Sequence, residues 1–508
     1  MATLRAVQHL AWSYDGGPFE DAVARVPFAR RIAVLTVAGL LTTVVTLVLR
    51  RATGGESRGL NAAVAYASGR LRFVPTIASG LASIVLVALG VSLGREAAPK
   101  DLGGAFASAM SLRLGLSRAE RRVLVACGAG AGIAAVYNVP LGGALFATEI
   151  LLGTLSLSLV LPALLTSAIA TAVAWIALPP IATYDVARGS PSASLVVWSL
   201  LFGPLAGLAA TGFVRGTAWS RAHAPRGRAI FYEPVLLLAS LGIAACLFPQ
   251  ILGNGKNVVQ DAFVNGLDFR LLGTLAAFKV LATFASLRSG APGGLFTPTI
   301  SAGALLGGFA GHLWTLAWPA PEHATFAFVA AGAFLAAASR GPLSAIVLIV
   351  ELTQTTEALI VPLVLATVGA TIVARRFASP SIYTTTPAAS LRDERLGPWL
   401  ISASATIAEL ARRRPPAERP FFVIDEKARY VGVVSLAIFA DDAAGVPIDV
   451  KTASDVARAS PSLVAGAAPD VAAVALARDG GVVPVVDERR VVRDVVDRRG
   501  PVRRDRPR

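Results

Sequence analysis

The amino-acid sequence predicts an all-α polytopic membrane protein with broken helices in two inverted repeats, followed by a small cytoplasmic α/β domain. Of its 508 residues, 54% are hydrophobic and 16% charged, a balance foreign to soluble enzymes. Apolar segments recur at 32–49, 76–93, 154–178, 193–214, 271–287, 325–339 and 358–374. Each is at or near the roughly 20 residues that cross a ~30 Å hydrocarbon core. Glycine and proline interrupt this region in "GGESRGLNAA" (54–63), "GREAAP" (94–99), "YNVPLGG" (137–143) and "GAPGGLFTP" (290–298). A helix broken inside lipid exposes backbone groups, which is tolerable only where protein or a water-filled cavity surrounds them. The breaks fall into one group over 54–143 and another at 290–298, the pattern of a transport site at a repeat interface. No direct sequence repeat accompanies them, so inverted symmetry is expected from the breaks alone.

Taken in order, residues 1–30 mix charges with Trp, Tyr and Gly and read as a cytoplasmic amphipathic lead-in, with no signal peptide. Residues 31–390 form the membrane region. Their basic residues gather in short breaks: Arg25, Arg30 and Arg31; Arg113, Arg118, Arg121 and Arg122; Arg215, Arg221, Arg226 and Arg228; Arg375 and Arg376. Lys/Arg excess in short loops marks the cytoplasmic side. The net charge of +15 is thus a topology signal, not a nucleic-acid site. Both termini are expected inside a prokaryotic plasma membrane. From 391 to 508 the texture changes. "PFFVIDEKARYVGVVS" (420–435) reads as two strands around a polar turn. The helical "DVAAVALARDG" (470–480) then precedes a weaker copy of that pattern in "GVVPVVDERRVV" (481–492). Cys127, Cys246 and the four histidines are scattered, so neither a disulfide framework nor a metal site is expected.

Arg95 and Glu96 directly follow an apolar run. Ionisable groups at membrane depth are costly unless they face a cavity or a partner. Helix N-termini carry about half a positive charge and unpaired N–H groups, so glycine-rich breaks leading into apolar helices make anion sites. The Glu96 carboxylate can then stand in the place of a transported anion and leave on protonation. The competing reading is a structural salt bridge to Arg95 or Lys100. A second class of function, an intramembrane enzyme using Glu96 and Glu149 as an acid–base pair, lacks a zinc-binding helix and any nucleophile–base set.

Four stretches, "GREAAPKD" (94–101), "GAGAGIAAVYNVPLGGALFATEIL" (128–151), "SGAPGGLFTPTISAGALLGG" (289–308) and "VLIVELTQ" (347–354), resemble the CLC chloride channel and transporter family in the right order. The similarity runs from about 30 to 390, and the tail at 391–508 resembles tandem CBS domains. The resemblance implies a homodimer with a pore in each subunit and anions held near the midplane by helix ends. It makes Glu96 the gating glutamate, beside Gly94 and Arg95. It assigns the central anion to the N–H groups of Leu295 and Phe296, within a motif that includes Gly294 and Pro298. It also places the Tyr383 hydroxyl, in "ASPSIYTTT" (378–386), across the cytoplasmic end of the anion path.

Three departures from the family pattern stand out. The first anion loop has Arg58 at the usual serine, with Ser57 as a substitute after a local shift; this opens fluoride or nitrate as alternatives to chloride. Ala97, Ala98 and Pro99 follow the glutamate instead of Gly-Pro. Glu149 is followed by Ile150, where proton-coupled members often carry an internal glutamate; this leans towards weak coupling and leaves Glu149 a structural role. In the tail, Ile438 stands where a ribose-binding Asp would follow Ser435. A structural or dimer-clasping tail without a bound cofactor is therefore expected, with an adenine-nucleotide sensor as the alternative.

Overall fold

The computed structural model describes residues 2–53, 59–65, 69–186, 192–264, 266–319, 323–354 and 359–383. In the tail it describes 400–403, 405, 421–425, 430–434, 453, 457, 463–464, 482–486, 492–497 and 500–501. The first half of the membrane region comprises α1 (Ala2–Trp12), α2 (Phe19–Arg25), α3 (Phe28–Thr53), α4 (Leu60–Ala65), α5 (Phe73–Ala88), α6 (Ala97–Arg113), α7 (Arg118–Tyr137), α8 (Pro140–Leu145), which widens into a π-helical turn at Phe146–Leu152, and α9 (Leu157–Ala174). The second comprises α10 (Ala193–Ala222), α11 (Glu233–Leu247), α12 (Lys256–Phe263), α13 (Phe269–Arg288), α14 (Phe296–Thr315), α15 (Ala324–Ser339), α16 (Pro342–Thr353) and α17 (Ile360–Arg376). Among the described residues α3, α9, α10 and α13 are long and apolar enough to cross a membrane. The shorter apolar helices reach across only in combination. Helix α15 is apolar all round and buried along its whole length, the mark of a helix at the centre of a bundle.

The halves repeat each other in inverted sense. Helix α7 ends in Asn138 at φ 57°, and α15 ends in Arg340 at φ 61°. Val139 (φ −129°, ψ 67°) and Gly341 (φ −121°, ψ 79°) then carry the chain into a proline at the first helical position, where a missing N–H costs nothing. Nine residues beyond Pro140 lies Glu149, and nine beyond Pro342 lies Glu351. The Glu149 carboxylate accepts the N–H groups of Leu343 (3.2 Å) and Ser344 (2.6 Å) at the start of α16. Glu351 accepts those of Leu141 (3.0 Å) and Gly142 (2.6 Å) at the start of α8. Each segment's far end caps the other's beginning, so the two run antiparallel. No direct repeat was expected from the breaks, but the two segments share one short pattern, Pro-Leu followed by Glu after seven residues.

Helix α3 sets the placement of the N-terminal residues. One end meets the basic loop, where the Arg50 guanidinium donates to Pro225 O at 3.0 Å. Its 26 residues rise about 39 Å at 1.5 Å each. Towards the other end, Arg31 donates to the carbonyls of Ala245 (3.3 Å) and Cys246 (3.2 Å). Helices α1 and α2 pack at that end, with Trp12 Nε1 donating to Ala88 O (3.0 Å) and Asn257 to the Glu20 carboxylate (2.9 Å). The described part of residues 1–30, expected as a cytoplasmic lead-in, packs at the end of α3 remote from the Arg50–Pro225 contact.

In the tail, β1 (Leu400–Ser402) pairs parallel with β2 (Phe421–Ile424), which pairs antiparallel with β3 (Tyr430–Val434). β4 (Leu463–Val464), β5 (Val482–Val486) and β6 (Val492–Asp497) repeat that order, and β7 (Gly500–Pro501) extends it. The two strand pairs expected at 420–435 and 481–492 correspond to β2–β3 and β5–β6; the helix expected at 470–480 lies outside the described residues.

Glu351→Ala leaves two N–H groups without acceptors, at about 1–3 kcal/mol. The expected outcome is a lower unfolding temperature in detergent, read by thiol labelling of the buried Cys127, with a similar drop for Glu149→Ala. An unchanged transition in both variants would show that the caps do not hold the halves together.

Candidate functional site

Two loops bring the beginnings of α6 and α14 face to face. Gly94 N–H donates to Gly294 O (2.8 Å), and Gly294 N–H donates to Gly94 O (2.9 Å), an isolated antiparallel bridge between the halves. Pro99 and Pro298 each sit third in the helix that follows, where neither ring removes an intrahelical bond. Glu96, the residue before α6, bends its side chain across to the other helix. Its Oε1 accepts the Phe296 N–H at 2.7 Å, and its Oε2 faces the hydroxyls of Thr297 (3.3 Å) and Tyr137 (3.4 Å). Those hydroxyls lie 3.1 Å apart. The carboxylate is 2% exposed and sits on the positive end of α14, where the helix dipole and free N–H groups favour an anion.

The two bridge glycines leave room for the Glu96 side chain. A Cβ on Gly94 or on Gly294 would overlap the Glu96 carboxylate. Leu295 forms the turn that begins α14, and its neighbour Phe296 supplies the donating N–H. Arg95 stacks its guanidinium 5.6 Å from the centre of the Tyr137 ring. The competing salt-bridge reading named Lys100, whose Nζ lies 3.9 Å from Asp101 and 5.7 Å from the Tyr383 ring centre.

Tyr383 follows α17 on a segment that folds back into the protein. Ile382 N–H donates to Ala338 O (3.0 Å) and Ser381 Oγ to Ser339 O (2.8 Å), strapping the segment to the end of α15. The Tyr383 ring is buried and meets Phe146 edge-on, with centroids 5.1 Å apart. Its hydroxyl has no hydrogen-bond partner among the described residues, an arrangement buried polar groups rarely keep without a ligand or water. Ser57 lies in 54–58, outside the described residues. Glu149 stands away from Glu96, as the cap of α16, and Ile150 packs against Gly341.

Tyr137 and Thr297 complete the carboxylate's surroundings and were not singled out from the sequence. Both lie inside the quoted breaks, "YNVPLGG" and "GAPGGLFTP". The left-handed Asn138 ends α7 just where Tyr137 can reach the bridge.

Two helix beginnings, held by main-chain bonds between inverted halves around one buried carboxylate, make a site of helix ends suited to an anion. The sequence profile of the voltage gated chloride channel family matches residues 34–375. Over 323 residues, 61% of this chain and 75% of the relative, the chain is 33% identical to the voltage-gated ClC-type chloride channel ClcB of Salmonella typhi. The fold is similar to that of a slow cyanobacterial Cl⁻/H⁺ antiporter, with TM-score 0.67 and 21% identity over 77% of this chain and 94% of that one. A CLC-type fluoride/proton antiporter gives TM-score 0.59 and 17% identity over 75% and 97%. The chain belongs to the voltage gated chloride channel (CLC) family.

Gly294→Ala should destabilise the protein by about 1–3 kcal/mol, the usual cost of overpacking, because the new methyl group meets the Glu96 carboxylate. Adding Glu96→Ala should recover most of that loss. Thermal unfolding of the single and double variants measures both effects, and equal stability of the two would show that the carboxylate does not occupy this space.

Proposed function

We propose that the protein carries chloride across a prokaryotic plasma membrane through the helix-end site, with Glu96 as a tethered, protonatable gate. The observation that carries this reading is the Glu96 carboxylate seated on the Phe296 N–H. In that position it competes with any permeant anion for the same donor. Protonation removes the charge that holds it there, and the site then accepts chloride. The Tyr383 hydroxyl, buried and without a described partner, supplies a donor on the cytoplasmic side of the path. Proton-coupled exchange is the favoured form, because a gate that opens by taking up a proton moves one each time it works from opposite sides. Neither a resident cofactor nor a catalytic reaction enters this scheme.

The basic ends of α3, α10 and α17 face the cytoplasm, in keeping with the positive-inside rule; the described N-terminal helices then face outward. Exposed Leu161, Leu165 and Ile169 of α9 and Val361, Val368 and Ile372 of α17 form apolar surface suited to lipid or to a second copy in a homodimer. The repeated strand order of the tail supports a CBS-like clasp on that dimer. Fluoride is a second reading for the transported ion, supported by the departure of residues 54–58 from the family's usual first anion loop.

In chloride-loaded liposomes with a potassium ionophore, chloride efflux with opposed proton movement is expected, at a rate that rises as pH falls. Ionised Glu96 blocks the site, so the block weakens as the carboxylate is neutralised. Glu96→Gln should transport at a pH-independent rate without moving protons. A variant that keeps the wild-type pH response would remove Glu96 from the gate. Tyr383→Phe should weaken chloride binding, measured calorimetrically, by about tenfold or more, the worth of one hydrogen bond to an ion. Unchanged affinity would take Tyr383 out of the site.

A further inference from the structure

A proton acting on Glu96 must reach a carboxylate that is 2% exposed. We propose that Asp101 relays protons between the cytoplasmic solution and Glu96, an inference that rests on the proton-coupled form of the reading above.

A cavity of about 440 Å³ lies behind the start of α6. Ala97, Lys100 and Asp101 line it from α6, and Arg221 and Gly293 line it from the other half. Ala97 directly follows Glu96 and Gly293 directly precedes Gly294, so the cavity backs onto both loops of the bridge. Arg221 belongs to the basic cluster at the end of α10, so the same cavity extends to the cytoplasmic side. Ala97, Lys100 and Asp101 are spaced three and four apart and share one face of the helix. Asp101 is the one carboxylate among the described lining residues.

The charged neighbours of Asp101 are few. Lys100 Nζ lies 3.9 Å from its Oδ1, and Arg221 lines the same cavity. Tyr383 lies beneath the Lys100 ammonium. Helices α4 and α5 contribute Asn61, Ser79 and Ser83, which do not titrate. Helix α7 meets α6 through main-chain contacts, Gly128 against Gly103 and Gly132 against Pro99; its charged residues lie in its first turns, away from these contacts.

In the relay, a proton from cytoplasmic water forms an O–H bond on the Asp101 carboxylate. It then passes through cavity water to the Glu96 carboxylate, and Asp101 returns to its ionised form beside Lys100. Neutralised Glu96 gives up the Phe296 N–H, which becomes a donor for the anion. An anion entering the cavity competes with Asp101 for Lys100. Its arrival frees Asp101 to take the proton, so anion entry and proton uptake favour one another. Ile150 packs on Gly341 and has no part in this route.

The test is paired recording of chloride and proton flux from the full chain in liposomes. Asp101→Asn should lower proton flux by at least about tenfold, the low end of what a positioned acid–base group contributes, while chloride flux falls much less, because Glu96 can still take and return its proton on the opposite side. Asp101→Glu should retain both. Asp101→Ser gives the same reading if the Asn variant does not fold, as judged by its size-exclusion profile. Wild-type proton-to-chloride ratios in the Asn or Ser variant would overturn the relay and leave coupling intact. Wild-type protein that moves chloride without protons would overturn coupling and relay together. Loss of coupling in Asp101→Glu as well would show that geometry, not an acid, is what matters at this position.

Discussion

The structure depends on one constraint: a helix that begins inside a membrane presents N–H groups where no water can take them. Three such beginnings are answered by carboxylates from the opposite half of the chain. Glu149 reaches α16, Glu351 reaches α8 and Glu96 reaches α14. Two of these pairings are static caps, each carboxylate accepting a pair of main-chain donors. Glu96 differs in kind, because it accepts one main-chain N–H and shares its other oxygen with two hydroxyls at 3.3 and 3.4 Å. The same physical device thus serves twice as architecture and, in the function proposed above, once as a gate. The proposed gate is the member with a single main-chain donor and the longest bonds.

Rigidity around the site complements that weakness. The Gly94–Gly294 bridge fixes the two helix beginnings against each other by main-chain bonds alone. In the proposed scheme the site therefore opens by movement of the Glu96 side chain, with no need to part the halves. The absence of a Cβ at either glycine leaves the space that the carboxylate fills. A side chain that swings away from this space uncovers donors that are already in place, as preorganised sites require.

Much of this arrangement was legible in the sequence. The glycine- and proline-rich breaks located the site, because polymer breaks in lipid need an enclosure, and Glu96 stood out as a charge after an apolar run. Two things were not legible. The mutual capping by Glu149 and Glu351 depends on an antiparallel placement that spacing alone does not give, although the repeated Pro-Leu start and trailing glutamate were visible at 140–149 and 342–351. The side on which residues 1–30 lie was not legible, because arginines flank both ends of α3. Arg30 and Arg31 bind carbonyls of the N-terminal segment and of α11, so there they serve as hydrogen-bond donors within the protein instead of marking the cytoplasmic face.

The crossed caps bear on the order in which the chain can mature. The acceptor for Leu141 stands 210 residues further along, so α8 enters the bilayer before its cap has been synthesised. Until Glu351 leaves the ribosome, the start of α8 has to be sheltered by the translocation machinery, by water or by a transient partner. The first half is therefore not a finished domain awaiting a second. A truncation that removes α16 therefore leaves the Leu141 and Gly142 N–H groups without their acceptor.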